Sequence, residues 1–450
     1  MPVEGRLRQM KANRYFQEFQ QIIKEDPRRY YRDYLLAKDK VDNSTAIYKG
    51  EPVKFLYQAL FLTREDLEEL KYLSSTLIRI LKKVIQEYRQ NPAFRRYFGF
   101  PALMEELILV DPGYEIEFPM ARFDLFYPFN KNSKFCELNA DGSSAMNEVR
   151  VLQRVIKESA ALAEIGEKDK FRGFELFHSW IDAIIENYKE FNQGIDDKPN
   201  IAIMDFEGEG TIYEFKEFQK RFSQRGYRTV ICDPRELKYS GGRLFYGDLE
   251  IDLIYRRATT VRLIEEADKI RDFIQAYREG AVCVVGGLVS QVIHNKIIFA
   301  ILHDEEKVSF LDGEEIEFIK RHIPFTRVFD YYNRDLLQEV IADKDHLLLK
   351  PFDKAASHGV YIGRDYSEEE WKELLKKAAC EDYLVQEFID IPRLEMASVD
   401  DETLHFEKFG YLIGLFLYNQ QLAGLYTRAG RRNIIGSIAE CFTVPNFIVE

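Results

Sequence analysis

The stretch 121-ARFDLFYPFNKNSKFCELNADGSSAMNE-148 governs how the rest of the chain is read. Two runs alternate polar and apolar side chains, Arg122-Phe123-Asp124-Leu125 and Phe135-Cys136-Glu137-Leu138-Asn139. A Pro/Asn/Ser/Lys segment separates them, which predicts two antiparallel strands and a loop. Side chains two apart on a strand share a face, so Arg122 and Asp124 point one way, as do Glu137 and Asn139. Phe123, Leu125, Cys136 and Leu138 are then expected on the opposite face. Paired with its polar sides together, the hairpin gathers two carboxylates, an amide oxygen and a guanidinium. That set suits Mg²⁺, which takes oxygen ligands and completes its octahedral shell with water and phosphate oxygens. The guanidinium would stand where negative charge develops during transfer. The same alternation also fits a half-exposed hairpin carrying surface ion pairs, and the hairpin alone does not choose between the two.

The chain's 450 residues allow two or three domains, and 46% hydrophobic with 31% charged residues is a globular composition. A formal charge of -13 argues against a general nucleic-acid binder, which needs a basic face to displace counterions. Cys136, Cys232, Cys283, Cys380 and Cys441 are scattered without Cys-x-x-Cys spacing, so neither a zinc site nor a disulfide framework is indicated. The N-terminus lacks a signal-like apolar segment. The longest apolar stretch, Ala281 to Ile293, is broken by glycines, Ser290 and Gln291 and is too short to span a bilayer. A cytoplasmic location without membrane attachment is expected.

Residues from about Gly5 to Phe98 read as helices, with a capping-box-like start at Thr63-Arg64-Glu65-Asp66. After the hairpin, Ala140 to Ser144 is a turn into a helix whose N-terminal amides are open to an anion. Another helix is expected over Phe174 to Phe191. From Ile201 the pattern becomes strand, helix, strand, a βαβ unit. The acidic, glycine-containing loop Asp205 to Thr211 lies at a strand end where ligands commonly bind, although a plain loop explains it as well. The strand Ile251 to Arg257 ends in two arginines, which suit a carboxylate or phosphate, or a surface pair. His294-Asn295-Lys296 opens a further helix. The strand His346 to Pro351 carries Lys350 at its end; the loop to His358 and the strand from Gly359 make a flap over phosphates, or an ordinary hairpin. Gln386 and Glu387 are adenine-edge candidates or edge-strand polars. Gly414 to Tyr418 and Leu422 to Arg428 form a hairpin that delivers Arg428.

Taken in order, these elements resemble the glutathionylspermidine synthase-like family of circularly permuted ATP-grasp carboxylate-amine ligases. The resemblance is carried by Arg122-x-Asp124, Glu137-x-Asn139-x-Asp141, Tyr255-Arg256-Arg257, Asn295-Lys296, Leu349-Lys350-Pro351, Val385-Gln386-Glu387, the Gly424 to Arg428 hairpin and Val444-Pro445-Asn446. It implies an α+β fold with a helical N-terminal region (1–115), a central portion with the metal hairpin (116–197), a small α/β subdomain (198–290) and a nucleotide-binding portion (291–450). It implies ATP and Mg²⁺, with Asp124, Glu137 and Asn139 as metal ligands and Arg122 as the residue stabilising transferred phosphoryl charge. Lys296, Lys350, Gln386, Glu387 and the loop residues Ser357, His358 and Gly359 are its ATP contacts; Arg257, Arg428, Asp141 and Ser143 are its substrate or phosphate contacts. The implied reaction is amide formation between a small or peptide carboxylate and an amine through an acyl-phosphate, by a ligase half without an amidase domain. A phosphotransferase on the same scaffold, or a nucleotide-binding regulatory protein without turnover, are the alternatives. The latter is motivated by the loop Asp353 to Gly359, which departs from the family's Gly-Arg-Glu-Gly type segment. Oligomeric state is left open.

Overall fold

Thr63 starts the helix Arg64–Gln90 by the reciprocal bonds its sequence predicts: its hydroxyl accepts the Asp66 amide at 3.1 Å and the Asp66 carboxylate accepts the Thr63 amide at 2.8 Å. The structure, a computed structural model, describes residues 3–129, 132–166, 170–195, 197–354, 358–436 and 440–449, with side chains from Arg14. Leu70, Leu73, Leu77, Leu81 and Val84 share one face of this helix and share a core with Phe123, Leu125, Phe135, Leu138, Ile413 and Leu425. Those partners come from a six-stranded sheet. Its strands run in the order Phe442–Val444, Gln421–Gly430, Thr403–Tyr418, Met120–Phe126 and Lys134–Asn139, with Arg393–Asp400 also paired to the long strand Thr403–Tyr418. One face of the sheet is thus filled by the helix, leaving the other for polar side chains.

A second sheet of four antiparallel strands, Thr326–Val328, Tyr383–Glu387, Leu347–Pro351 and Tyr361–Ile362, faces the same space. Leu349 and Val385 turn to a core with Leu336, Val340, Trp371 and Leu375 of the covering helices Arg334–Ala342 and Glu368–Ala378. By the two-residue period, Lys350 and Gln386 turn the other way. The third unit is the expected βαβ region: parallel strands in the order Cys283–Val285, Leu253–Arg256, Ile201–Met204 and Thr229–Cys232. It carries a small meander whose first turn, Gly241-Gly242, has both φ angles positive (60° and 80°), the geometry of a two-residue hairpin turn.

Several expected boundaries move. The N-terminal region is not all helix. Between Pro27–Asp42 and Arg64–Gln90 lie the short hairpin Ile47–Tyr48 and Glu51–Pro52 and the strand Leu60–Leu62, which pairs in parallel with Asn446–Val449 at the far end of the chain. The helix expected from Phe174 starts at His178, because the Glu175 carboxylate takes the amides of Phe177, His178 and Ser179. His294 to Lys296 does not open one helix. Gln291–His294 ends and Ile297–Leu302 begins, with Asn295 extended between them and its side chain accepting the Ile297 amide at 3.0 Å. Among the described residues no helix is long and apolar enough to cross a membrane.

Candidate active site

The two sheets face each other across a cleft of about 600 Å³ whose wall includes Arg122, Asp124, Glu137, Asn139, Lys296, Lys350, Gln386, Glu387 and Arg428. The hairpin pairs as its alternation predicts, with Arg122 opposite Asn139 and Asp124 opposite Glu137. The apolar face differs at one position. A bulge next to Asp124 brings Leu125 opposite Phe135, so Phe135 and Leu138 are buried, while Cys136, expected on the apolar face, lines the cleft. Its thiol donates to the Asp124 carbonyl at 3.3 Å, and burial beside the Asp124 carboxylate pushes it up to about 12, so it stays protonated.

The charges interlock. Asp124, 1% exposed, accepts from Arg122 Nε at 3.1 Å and is paired with Arg428 from the second strand over. Glu137 pairs with Lys296 at 3.1 Å. Asn139 Nδ2 reaches one oxygen of each acid, Asp124 Oδ2 at 3.1 Å and Glu137 Oε2 at 3.2 Å, so the two carboxylates converge on one point. Lys350 Nζ donates to the Cys136 carbonyl at 2.7 Å. Burial by itself pushes the Glu137 carboxyl up, but Lys296, Lys350 and Arg428 hold it well below the usual carboxylate range. Burial lowers the Lys350 ammonium in spite of Glu137. On the opposite sheet, Gln386 donates to the Thr326 hydroxyl at 2.8 Å and Glu387 accepts the Phe325 amide at 3.1 Å, both at the edge of the cleft.

Other expected contacts are placed elsewhere. Arg257 does not reach the cleft. It is buried between Glu214, at 3.6 Å, and the carbonyls of Gly142 and Ser143, and ties the parallel sheet to the turn after the hairpin. Asp141 borders the cleft, but its carboxylate is committed to Arg256 at 2.5 Å and to the Thr260 amide at 2.5 Å. Ser143 also borders it and donates to the Asn139 carbonyl at 2.7 Å. The helix N-terminus expected to be open to an anion is filled by the Glu214 carboxylate, which accepts the amides of Ala145 and Asn147 at 3.2 and 3.1 Å. His358 and Gly359 form a turn beside the cleft wall, which their neighbour Val360 joins; Ser357 lies outside the described residues.

The architecture has solved counterparts. A glutathione synthetase-like effector from Globodera pallida in its apo form superposes with a TM-score of 0.59 over 94% of this chain and 98% of its own, at 10% identity. The fold is that of the ATP-grasp proteins. A candidate gamma-glutamylcysteine synthetase from Methylobacillus flagellatus (TM-score 0.41, 11% identity, 81% of this chain and 86% of that one) is also similar. So is a RimK-domain ATP-grasp protein from Sphaerobacter thermophilus (TM-score 0.29, 16% identity, 54% of this chain and 89% of that one). No protein-family model and no curated protein matches the chain.

Within this cleft, three participants went unread in the sequence. Gly414 stands opposite Asp124 and leaves room for its side chain. Lys354 gives its carbonyl to Lys296 Nζ at 3.1 Å. Glu148 borders the cleft and accepts from the Tyr426 hydroxyl at 3.0 Å and the Thr443 hydroxyl at 3.1 Å. Only Glu148 left a local trace, as an acid in the first turn of Met146–Lys157. The other two depend on segments brought together by the fold.

Proposed function

We propose that the protein is an ATP- and Mg²⁺-dependent, ADP-forming carboxylate-amine ligase of the glutathionylspermidine synthase-like kind, acting on a small or peptide carboxylate and an amine. The observation that carries this reading is the charge balance of the cleft. At the polar face of the hairpin four cations, Arg122, Arg428, Lys296 and Lys350, meet the two carboxylates Asp124 and Glu137, so there cations exceed carboxylates where buried charge is expensive unless paired. Such an excess is matched by a ligand bearing several negative charges, as a nucleoside triphosphate does.

Asp124, Glu137 and Asn139 fit Mg²⁺ by donor chemistry. The two carboxylates already converge on the Asn139 amide, whose oxygen and nitrogen exchange by a half-turn. These three protein donors would fill only part of an octahedral shell, as Mg²⁺ prefers. Held by these residues, the ion would supply positive charge to neutralise the phosphates. Lys296 and Lys350 hold phosphate charge; Arg122 and Arg428 steady the phosphoryl group as it passes to the substrate carboxylate and the acyl-phosphate that results. Gln386 and Glu387 stand at the base end. In this reading, residues 116–197 and 291–450 supply most of the cleft wall, joined by Tyr48 to Lys54 of the N-terminal region, and residues 198–290 its substrate side.

The test is phosphate release from ATP with paired acids and amines. A ligase releases ADP and phosphate only when both co-substrates are present. Turnover with an acid alone would favour a phosphotransferase, and a Mg²⁺·ATP-dependent rise in melting temperature without turnover would favour a nucleotide-binding regulator.

A further inference from the structure

The proposed reaction leaves Glu148, an acid of the cleft, without a task. We infer that Glu148 forms the amine subsite: it holds the ammonium of the incoming amine and takes one of its protons. This rests on the ligase reading for the reaction but not for the binding.

Both hydrogen bonds to Glu148, from Tyr426 and Thr443, fall on the same oxygen, Oε2. The side chain is half-buried and borders the cleft, and among the described residues no hydrogen bond to Oε1 is made. Its place relative to the reacting end follows from strand register. Asp124, Gly414 and Tyr426 stand in one row across three neighbouring strands. The Arg122 guanidinium lies 5.3 Å from the centre of the Tyr426 ring, whose hydroxyl is bonded to Glu148. Tyr426 therefore touches both the carboxylate that would receive an amine and the arginine that would steady the acyl-phosphate. The segment Tyr48 to Lys54 also lines the cleft, and the Lys54 carbonyl accepts the Thr443 amide at 2.8 Å.

The groups facing Glu148 are Tyr426 and Thr443 from the strands, Arg122 from the hairpin, Glu214 from the helix Ile212–Gln224, and Cys441. Burial and Glu214 raise its proton affinity, the two hydroxyls and Arg122 lower it, and the net shift is upward. A carboxylate of raised proton affinity is the better base near neutral pH. In the step, the ammonium gives one proton to Glu148 and the freed nitrogen lone pair forms the C–N bond. The C–O bond to phosphate then breaks with its electron pair on the phosphate, which takes the second nitrogen proton.

The experiment is calorimetric titration of the full chain with n-butylammonium chloride, beside Glu148→Gln, Glu148→Asp and Thr443→Val, with the Mg²⁺·ATP thermal shift recorded for each. Wild type is expected to bind, Glu148→Gln at least about tenfold more weakly and Glu148→Asp in between. Wild-type affinity should fall as acid protonates Glu148. Thr443→Val, which keeps the charge and removes a hydrogen bond, should move that fall to higher pH. Equal affinity in wild type and Glu148→Gln, or no heat from wild type at tens of millimolar amine, would overturn the subsite. Glu148-dependent amine binding in a protein that gives no Mg²⁺·ATP shift would support the subsite and overturn the ligase reading instead.

Discussion

Gly414 faces Asp124 across adjacent antiparallel strands, and a Cβ at Gly414 would lie 2.9 Å from Asp124 Oδ1 and 2.8 Å from Arg122 Cδ. The site can hold an aspartate and an arginine two residues apart on one strand because the neighbouring strand has no side chain there. Gly414→Ala should therefore act on the site first. Overpacking typically costs about 1–3 kcal/mol, and the groups that would have to move are the carboxylate and the guanidinium. Urea unfolding is expected to show a loss in that range, with turnover falling by two orders of magnitude or more. A variant with wild-type turnover would show that Arg122 and Asp124 need not keep these positions.

Asp124 is the carboxylate that two guanidinium groups share. Asp124→Asn removes its charge and leaves Arg122 and Arg428 facing a neutral amide. Breaking a buried pair from one side is strongly destabilising, on the order of 3 kcal/mol. The variant should melt lower and lose the Mg²⁺-dependent part of the ATP thermal shift. An undiminished Mg²⁺-dependent shift would remove Asp124 from the metal site.

The part of this site that a reader of the sequence could see was the part set by local period. Arg122-x-Asp124 and Glu137-x-Asn139 share a face because a strand repeats every two residues. Cys136 was misplaced for the same reason, since a bulge inserts a residue into that period and the sequence Phe135-Cys136-Glu137 does not announce it. The βαβ unit and the Thr63 cap were equally local and equally readable. The strand Leu60–Leu62 was not, because its partner is Asn446–Val449 at the other end of the chain. Arg256 and Arg257 read as ligand contacts or as a surface pair, because paired arginines at a strand end suit anions. The anions they meet, Asp141 and Glu214, are the protein's own and come from distant segments.

Acid stability should carry the signature of Glu137. Its folded-state pKa lies below the unfolded one, so the carboxylate contributes stability that is present above the unfolded value of about 4.3 and is lost as pH falls toward the folded one. The difference in unfolding free energy between wild type and Glu137→Gln should thus be constant near neutrality and shrink below about pH 4. Urea titrations between neutral and acid pH measure it. A difference that grew on acidification would mean that the lysines do not hold this carboxyl down.

Arg257 and Arg428 separate a structural arginine from a cleft arginine. Arg257→Met leaves Glu214 without its buried cation and the Gly142 and Ser143 carbonyls without their donor. About 3–5 kcal/mol of stability should be lost, with ATP affinity, measured on the folded fraction, changed less. Arg428→Met borders the cleft and should do the reverse in emphasis, weakening nucleotide binding by at least about tenfold. Equal losses of affinity in the two variants would return Arg257 to the list of phosphate contacts.

Lys350 gives the sharpest contrast between stability and function. Its ammonium is disfavoured by burial, and among the described residues the Cys136 carbonyl, the Phe299 ring at 5.7 Å and the nearby Glu137 compensate it. A group held charged at that disadvantage is poorly explained as a stabiliser. Replacing a buried charge by an apolar side chain of similar volume is often neutral or favourable, provided no partner is stranded. Glu137 keeps Lys296 at 3.1 Å, so no charged partner is stranded, and the Cys136 carbonyl that loses its donor belongs to a residue bordering the cleft. Lys350→Met is therefore expected to melt at or above the wild-type temperature without nucleotide and to lose most of the rise that Mg²⁺·ATP produces. Thermal melts with and without nucleotide read both effects on one sample. A variant that melted several degrees lower while keeping the full nucleotide shift would make Lys350 a structural lysine and leave the phosphates to Lys296 and the arginines.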